Sequence, residues 1–430
     1  MDIRKLVAGL KNCPCGREHS VDIKAVEIGS GLKSRAAEIL KENGFPSRAL
    51  VVADRNTLNA ADGILGVLTS GGFDCTLKLY DDLRTAHMRD VDDITALCRD
   101  VRGVLSVGSG SLNDICRLAA FRADKAFAIF ATAPSMDGFA SDTAPITDNN
   151  FKFSYPARQP SVIIGDTKIL AAAPAELKSA GFGDMIAKCI GLADWKLSHL
   201  ITGEYYCENV AAITQTAFDR VVSLAGRVTD NDEETAGAIM EALVLTGLAM
   251  KLGYSVRPAS GAEHVVSHFW EIKKLEQGLT SDFHGKKVGV ATLMVNRLYK
   301  QICENADPAK FAPERLDWEK IYAAYGESFI ADVKRMNNPT VTQETSVERI
   351  RENWGEICRI MLEELPSDGK LTALMKKAGA ATTLEEISVP RELGLLGLEY
   401  HPYMRNRILL SRLVPMLNVD VIYSDLIRNC

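Results

Sequence analysis

Between residues 20 and 166 the chain alternates two periodicities, and this alternation restricts its fold more than any other feature. "ALVVAD" (49–54), "GVLSVGSG" (103–110), "AFAIFAT" (126–132) and "SVIIGD" (161–166) are short apolar runs with β-branched residues. Each is bounded by Gly, Asp or Thr, so together they read as buried strands. Helical spacings occupy 31–43, 56–70, 90–100 and 111–122. Strand and helix in alternation imply a parallel sheet covered on both faces, a Rossmann-like open sheet. After Pro174 the strand pattern stops. Segments 174–200, 204–227, 233–253, 261–276, 284–304, 317–334 and 345–364 carry apolar spacings of three and four. The expected plan is an α/β domain of residues 1–166 followed by an all-α domain of residues 167–430, with small-molecule chemistry in the cleft between them.

Composition narrows the partners. At 430 residues the chain exceeds one ordinary core, and 47% hydrophobic with 25% charged residues is the usual globular range. A formal net charge of -6 offers no basic excess to neutralise phosphates, which argues against a nucleic-acid partner. The opening "MDIRKLVAGL" lacks the apolar run of an export signal, and no stretch approaches the ~20 apolar residues of a membrane span. A cytoplasmic protein with no membrane partner is expected, and reduced thiols for its ten cysteines. In "CPCGREH", Cys13, Cys15 and His19 have ligand chemistry, yet Cys-x-Cys is an uncommon zinc spacing and no fourth ligand stands nearby. A turn made by Pro14 and Gly16 that packs two sulfurs is the expectation.

In the first half, "VLSVGSGSLNDICRLAAF" is a strand, a glycine-bearing turn and a helix. Gly108 and Gly110 would let a phosphate approach the backbone, where the amides of Ser109, Ser111 and Leu112 point outward from a helix N-terminus. The pattern is neither G-x-G-x-x-G nor a P-loop. Asp54 ends a strand, where a carboxylate suits ribose hydroxyls and repels a 2′-phosphate, or equally caps the next helix. "ATAPSMDGFAS" gathers Thr132, Ser135, Asp137 and Ser141 on a loop at a strand's carboxyl end, the edge at which open α/β sheets bind ligands.

In the second half, "SGAEHVVSHFWE" places His264 and His268 one helical turn apart. Ser260 and Glu263 form an S-x-x-E capping box that starts this helix near Gly261. His284 opens "HGKKVGVATLMVNRL", at the mouth of a buried stripe of Val288, Ala291, Val295 and Leu298. Asp184 in "SAGFGDMIAKCIG" lies between small residues with Lys188 one turn on. A carboxylate in such an apolar helix needs a pairing partner or a cation. Asp184, His264 and His284 would supply one oxygen and two nitrogens, leaving open positions for substrate, which is the format of a catalytic metal site.

The ordered set "VGSGSLND", "ATAPSMDGFAS", "GFGD", "SGAEHVVSH" and "HGKKVGV", with "YHPYMRNR" near the end and the N-terminal "CPCG", resembles the sn-glycerol-1-phosphate dehydrogenases, most of all their AraM-like bacterial branch. These belong to the iron-containing alcohol dehydrogenase and dehydroquinate synthase-like superfamily. The resemblance implies a dehydroquinate synthase-like architecture, reduction of dihydroxyacetone phosphate to glycerol 1-phosphate in lipid biosynthesis, and a homodimer. It implies NAD(H) or NADP(H) held by Asp54, Gly108, Ser109, Gly110, Ser111, Leu112, Thr132, Ala133, Pro134, Ser135 and Ser141. Asp137 and His268 would contact substrate. Asp184, His264 and His284 would hold one divalent metal ion (Zn, Ni or Fe), with Asp184 also touching substrate. Asp184 and His268 would thus be the catalytic residues.

The substrate phosphate needs a cation, for which Lys188 and Arg257 are the candidates. Departures from the family pattern are "GSGS" where many members have three glycines, Met136 where archaeal members often have His, and a different spacing from His268 to His284. Three alternatives share much of this pattern: another metal-dependent polyol dehydrogenase, a dehydroquinate synthase-like cyclase, and a sensor without turnover. The cyclase branch typically uses Glu where Asp184 stands.

Overall fold

The computed structural model describes residues 1–148 and 151–427. Its strands are β1 (Ala25–Gly29), β2 (Arg48–Asp54), β3 (Asp74–Tyr80), β4 (Gly103–Gly108), β5 (Ala126–Ala131), β6 (Thr143–Asp148), β7 (Phe151–Pro156) and β8 (Val162–Asp166). Six of them form one parallel sheet in the order β1-β8-β5-β4-β2-β3. The four apolar runs are its central strands, and burial on both faces explains why they lack alternation. The outer strands β1 and β3 escaped the sequence reading. Each has a single neighbour, and β3 ("DCTLKLY") mixes polar side chains with exposed Leu77 and Leu79.

The helices of the first half are α1 (Ile3–Gly9), α2 (Ala36–Glu42), α3 (Arg55–Ala60), α4 (Ile64–Ser70), α5 (Met88–Leu97) and α6 (Gly110–Arg122). One sheet face packs under α2 and α4, while the other is continuous with the core of the second half. From β2 the chain passes outward to β3, whereas β4 lies on the other side of β2. The strand order therefore reverses between β2 and β4, and Asp54 and Gly108 flank the crevice where such sheets accept ligands.

Beyond Asp166 the described residues are helical. They form α7 (Thr167–Ala172), α8 (Ala175–Ile186), α9 (Lys188–Thr202), α10 (Glu208–Ser223), α11 (Glu233–Leu252), α12 (Ala262–Glu276) and α13 (His284–Asn305). Then follow α14 (Trp318–Tyr325), α15 (Ile330–Met336), α16 (Val347–Arg359), α17 (Asp368–Lys377), α18 (Arg391–Tyr400) and two single-turn helices. Segment 317–334, expected as one helix, is two, and 345–364 ends in a π turn over Ile360–Glu364. Helix α11 does reach the length and apolarity of a membrane span, with a mean hydropathy of 1.4, contrary to the sequence reading. However, 83% of that window is buried inside the protein, so α11 is the axis of the helical core.

Strands β6 and β7 form an antiparallel hairpin that the strand patterns did not foreshadow. It leaves the sheet and reaches the helical half, where Lys152 Nζ donates to both oxygens of Glu271 on α12 at 3.0 and 3.1 Å. The hairpin thereby walls one side of the cavity described next.

Candidate metal centre and active site

Asp184 is fully buried in α8, and its position depends on how closely α13 crosses that helix. A Cβ on Gly183 would lie 2.5 Å from the Gly285 carbonyl oxygen, and one on Gly285 would overlap the Ala180 carbonyl. Only glycine permits this approach, and it brings His284, the first residue of α13, over the Asp184 carboxylate. His264 arrives from the first turn of α12. One ligand atom from each of Asp184, His264 and His284 can be chosen so that all lie within 4.8 Å of one another.

The start of α12 differs from the sequence reading. Ser260 does not cap it; its hydroxyl accepts from Arg407 at 3.2 Å instead. The N–H of Ala262 donates to Asp194 Oδ2 at 2.9 Å. Glu263, expected in the capping box, does meet the backbone N–H of the N-cap residue Gly261 and has a second task besides. Its Oε1 accepts from Gly261 N at 2.9 Å and from His264 Nδ1 at 2.7 Å. A carboxylate only accepts, so Nδ1 carries a proton and Nε2 is the ring atom turned to Asp184 Oδ1, 3.5 Å away. Burial and Lys188 oppose a charge on this ring, but Asp184 and Glu263 outweigh them and raise its pKa. Glu263 thus orients His264 as well as supporting the helix start, and only the second of these roles was legible in the sequence.

The three imidazoles form one cluster, with ring centroids 5.1 Å apart for His264 and His284, 5.7 Å for His268 and His284, and 6.2 Å for His264 and His268. Nδ1 of His268 and Nδ1 of His284 have no hydrogen-bond partner among the described residues. Burial pushes His284 down to about 3. Burial, aided by Lys152 and His284, also holds His268 well below its ordinary value. Both rings are therefore neutral, with lone pairs to give.

Lys188 supplies the local positive charge. Its ammonium donates to Asp137 Oδ2 at 2.6 Å, Asp184 Oδ1 at 2.8 Å and the Ala259 carbonyl at 3.0 Å. Burial opposes that charge, but the two carboxylates hold its pKa above the ordinary value. Burial would raise Asp184 too, yet Lys188 and His264 keep it well below the carboxylate range. Asp137 moves the other way, raised by burial and by the neighbouring Asp184 charge. The Asp137 N–H also donates to Asp184 Oδ2 at 2.9 Å, tying the loop after β5 to α8. One carboxylate oxygen and two imidazole nitrogens, beside the unpartnered Nδ1 of His268, fit a divalent cation with coordination positions to spare.

Those positions face a cavity of about 920 Å³, lined among others by Asp137, Ser141, His264, His268, His284, Arg405 and Arg407. Neither residue expected as the cation for a substrate phosphate is free in this cavity, whereas the two arginines line it. Lys188 is spent on two carboxylates, and Arg257 is clamped by Glu204 at 3.0 and 2.7 Å and does not line the cavity. Arg405 and Arg407 donate to the Lys152, Met404, Ser260 and Gly261 backbones and to the Ser260 hydroxyl. Neither forms an ion pair among the described residues. Burial lowers both, Arg407 to about 10 with help from Arg257 and Arg405. "YHPYMRNR" contained this signal only as two arginines two positions apart, and nothing in that spacing pointed at the cavity.

The residues expected to hold a dinucleotide lie along the carboxyl edge of the sheet. Gly108 ends β4, Ser109 is the N-cap of α6, and Gly110, Ser111 and Leu112 form its first turn. Ser109 takes an extended backbone, φ -128°, which its Cβ tolerates without a third glycine. Met136 lies against Gly110, and its sulfur accepts from Gly138 N at 2.8 Å. Thr132, Ala133, Pro134 and Ser135 follow β5, and the Thr132 N–H donates to the Gly108 carbonyl at 3.2 Å. Asp54 caps α3 through one carboxylate oxygen, which accepts from Thr57 N at 2.8 Å. Ser141 sits apart from this row, on the cavity wall beside Thr143 at 3.0 Å.

A second cluster contradicts the reading of the N-terminal cysteines. Cys13, Cys15 and His19 do have a fourth neighbour of ligand chemistry, Cys207 at the N-cap of α10. Spacing concealed it, because 188 positions separate it from His19.

Comparison with known proteins places this architecture. Residues 27–174 match the iron-containing alcohol dehydrogenase family. A solved glycerol dehydrogenase from Schizosaccharomyces pombe superposes with a TM-score of 0.61 at 18% identity, covering 95% of this chain and 92% of that one. A glycerol-1-phosphate dehydrogenase (NAD(P)+) of Halalkalibacterium halodurans is 33% identical over 300 residues, 67% of this chain and 74% of the relative. Its counterpart in Geobacillus stearothermophilus is 29% identical over 398 residues, 91% and 92% of the two chains. A parallel sheet followed by a helical half, with these matches, defines an oxidoreductase of the iron-containing alcohol dehydrogenase and dehydroquinate synthase-like class. Within that class the chain belongs to the glycerol-1-phosphate dehydrogenase family.

Proposed function

We propose that this chain reduces dihydroxyacetone phosphate to glycerol 1-phosphate with NADH or NADPH, and that Asp184, His264 and His284 hold the one divalent cation the reaction needs. The observation that carries the reading is the convergence of these three side chains at the rim of a cavity that also holds two unpaired guanidiniums. When bound, the cation supplies Lewis acidity to a ketone oxygen. Zinc, nickel and iron all suit one oxygen and two nitrogens.

The net reaction adds a hydride to the ketone carbon and a proton to its oxygen. The protein's part is alignment and proton delivery. Residues 1–166 hold the dinucleotide, with its pyrophosphate at Gly108–Leu112 and beside Thr132–Ser135, and a ribose at the Asp54 carboxylate. That carboxylate favours NADH over NADPH. Residues 167–430 hold the metal and, together with Asp137 and the β6–β7 hairpin, the substrate. Arg405 and Arg407 bind the substrate phosphate, since buried guanidiniums without carboxylates are suited to an anion. Asp137 stays fixed by Lys188 and presents its other oxygen to a substrate hydroxyl. His268, being neutral, acts as a relay: one ring nitrogen gives a proton to the forming hydroxyl while the other takes one from cavity water.

A cytoplasmic homodimer serving lipid biosynthesis is the setting we assign. The product is the polar backbone of a phospholipid, and the outer edge of β3, with its exposed leucines, would suit a second copy. Purified protein should oxidise NADH with dihydroxyacetone phosphate once a divalent metal is added, far faster than with dihydroxyacetone, glyceraldehyde or glycerol. Arg407→Ala should raise KM for the phosphorylated substrate about 10- to 100-fold, as expected for losing a hydrogen bond to a charged group, and leave dihydroxyacetone unaffected. Preference for the unphosphorylated compounds would instead identify a polyol dehydrogenase.

A further inference from the structure

The second cluster has no part in the chemistry proposed above, and its geometry is closed. The Sγ atoms of Cys13 and Cys207 lie 3.5 Å apart, Cys15 Sγ is 3.2 Å from His19 Nε2, and Cys207 Sγ is 3.8 Å from the same nitrogen. All four ligand atoms fall within 4.8 Å of one another. Around a tetrahedral zinc with bonds of about 2.3 Å to sulfur and 2.0–2.1 Å to nitrogen, neighbouring ligand atoms sit about 3.5–3.8 Å apart. The cysteines are unbridged. We propose that Cys13, Cys15, His19 and Cys207 bind one structural zinc ion, separate from the cation of the active site.

The surroundings fit that assignment atom by atom. His19 Nδ1 lies 2.9 Å from the Leu252 carbonyl at the end of α11. A carbonyl only accepts, so Nδ1 carries the proton and Nε2 turns its lone pair to the three sulfurs. The Tyr205 hydroxyl donates to Cys15 Sγ at 3.3 Å, and Asn209 Nδ2 donates to Cys13 Sγ at 3.2 Å. Donors aimed at sulfur favour thiolate ligands over neutral thiols. The Cys-Pro-Cys-Gly turn, closed by Gly16 N–H to the Cys13 carbonyl at 3.1 Å, is what presents two sulfurs to one point. Three sulfurs and one nitrogen, none of them on the wall of the active-site cavity, complete a soft four-ligand set that selects zinc.

The consequence is mechanical. The ion ties residues 13–19, which precede β1, to the start of α10 and, through Leu252, to the end of α11. It therefore staples the N-terminal segment onto the helical half while leaving the active-site cavity untouched.

The test is metal analysis and cobalt substitution of the full-length protein. Wild type should carry two metal equivalents per chain, and His264→Ala and Cys207→Ser one each. After cobalt replaces the bound metal, a thiolate-to-cobalt charge-transfer band should appear in wild type and in His264→Ala, because no cysteine belongs to the active-site set. Cys207→Ser should lose that band and open the N-terminal segment to proteolysis while keeping kcat within about twofold. Should Cys207→Ser not fold, the wild-type and His264→Ala spectra still decide. A single equivalent that His264→Ala abolishes, with no thiolate band in either protein, would overturn the proposal. So would a Cys13–Cys207 disulfide found by peptide mapping without reductant.

Discussion

Two clusters of metal-ligand chemistry lie in this molecule, and they differ in what surrounds them. At Cys13, Cys15, His19 and Cys207 the Leu252 carbonyl, the Tyr205 hydroxyl and the Asn209 amide hold the ligand groups, and none of the four residues lines the active-site cavity. At Asp184, His264 and His284, Nδ1 of His284 and Nδ1 of the adjacent His268 have no partner among the described residues, and a cavity of about 920 Å³ begins where the ligands end. Ligand identity alone does not separate a structural site from a catalytic one. Access does, and access is a property of packing.

The first way to break the comparison is to remove the carboxylate. Asp184→Ala leaves Lys188 paired with Asp137 alone and should cut kcat/KM at least about 10³-fold, since Lewis acidity contributes several kcal/mol. Any thiolate-bound zinc should survive, and equal loss at both clusters would erase the distinction between them. A subtler change is Glu263→Gln, which keeps the shape and removes the charge that orients His264. Metal affinity of the open cluster should fall about 10- to 100-fold, read by titration of metal-free protein. Unchanged affinity would mean that Glu263 only supports the start of α12.

Next comes the crossing that assembles the open cluster. Gly285→Ala forces α13 away from the Ala180 carbonyl and should cost about 1–3 kcal/mol, the usual penalty of overpacking. It should also weaken metal binding, because the backbone that moves carries His284. Stability lost with metal affinity intact would uncouple the crossing from the site.

The smallest effect uses His401 as a control for burial. Burial pushes His401 down to about 3, as it does His284. Yet both nitrogens of His401 are satisfied, Nδ1 by the Gly397 and Leu398 carbonyls at 3.0 Å and Nε2 by the Ser411 hydroxyl at 2.8 Å. It is buried without being available. The folded pKa lies below the unfolded value of about 6.5, so the unfolded chain takes up the proton first as pH falls. The stabilisation from neutral His401 is complete above pH 6.5 and shrinks below it, by about 1.4 kcal/mol at pH 5.5. Denaturant melts of His401→Gln and wild type at pH 7.5 and 5.5 should differ by that amount, and no difference would show that this ring is not protonated on unfolding.

Legibility in the sequence followed the same division. Central strands announce themselves because both faces are buried, as in "ALVVAD" and "SVIIGD". Edge strands such as "DCTLKLY" are half solvated and carry a diluted pattern, and the β6–β7 hairpin owes its place to Lys152 meeting Glu271 across the fold. Asp184, His264 and His284 stood out because a carboxylate and imidazoles in apolar helices need a reason. Glu263 did not, since a glutamate near a helix start already has an ordinary explanation. Cys207, Arg405 and Arg407 act through tertiary neighbours far away in the chain, and no local period encodes such a meeting.

The most direct test of the central claim is turnover of dihydroxyacetone phosphate before and after a chelator strips the labile metal, with NADH binding followed in the same samples. Turnover should vanish, return on adding back one divalent cation per chain, and fail to return in His264→Ala, while NADH still binds throughout. Undiminished turnover in protein shown to lack that cation would contradict the claim.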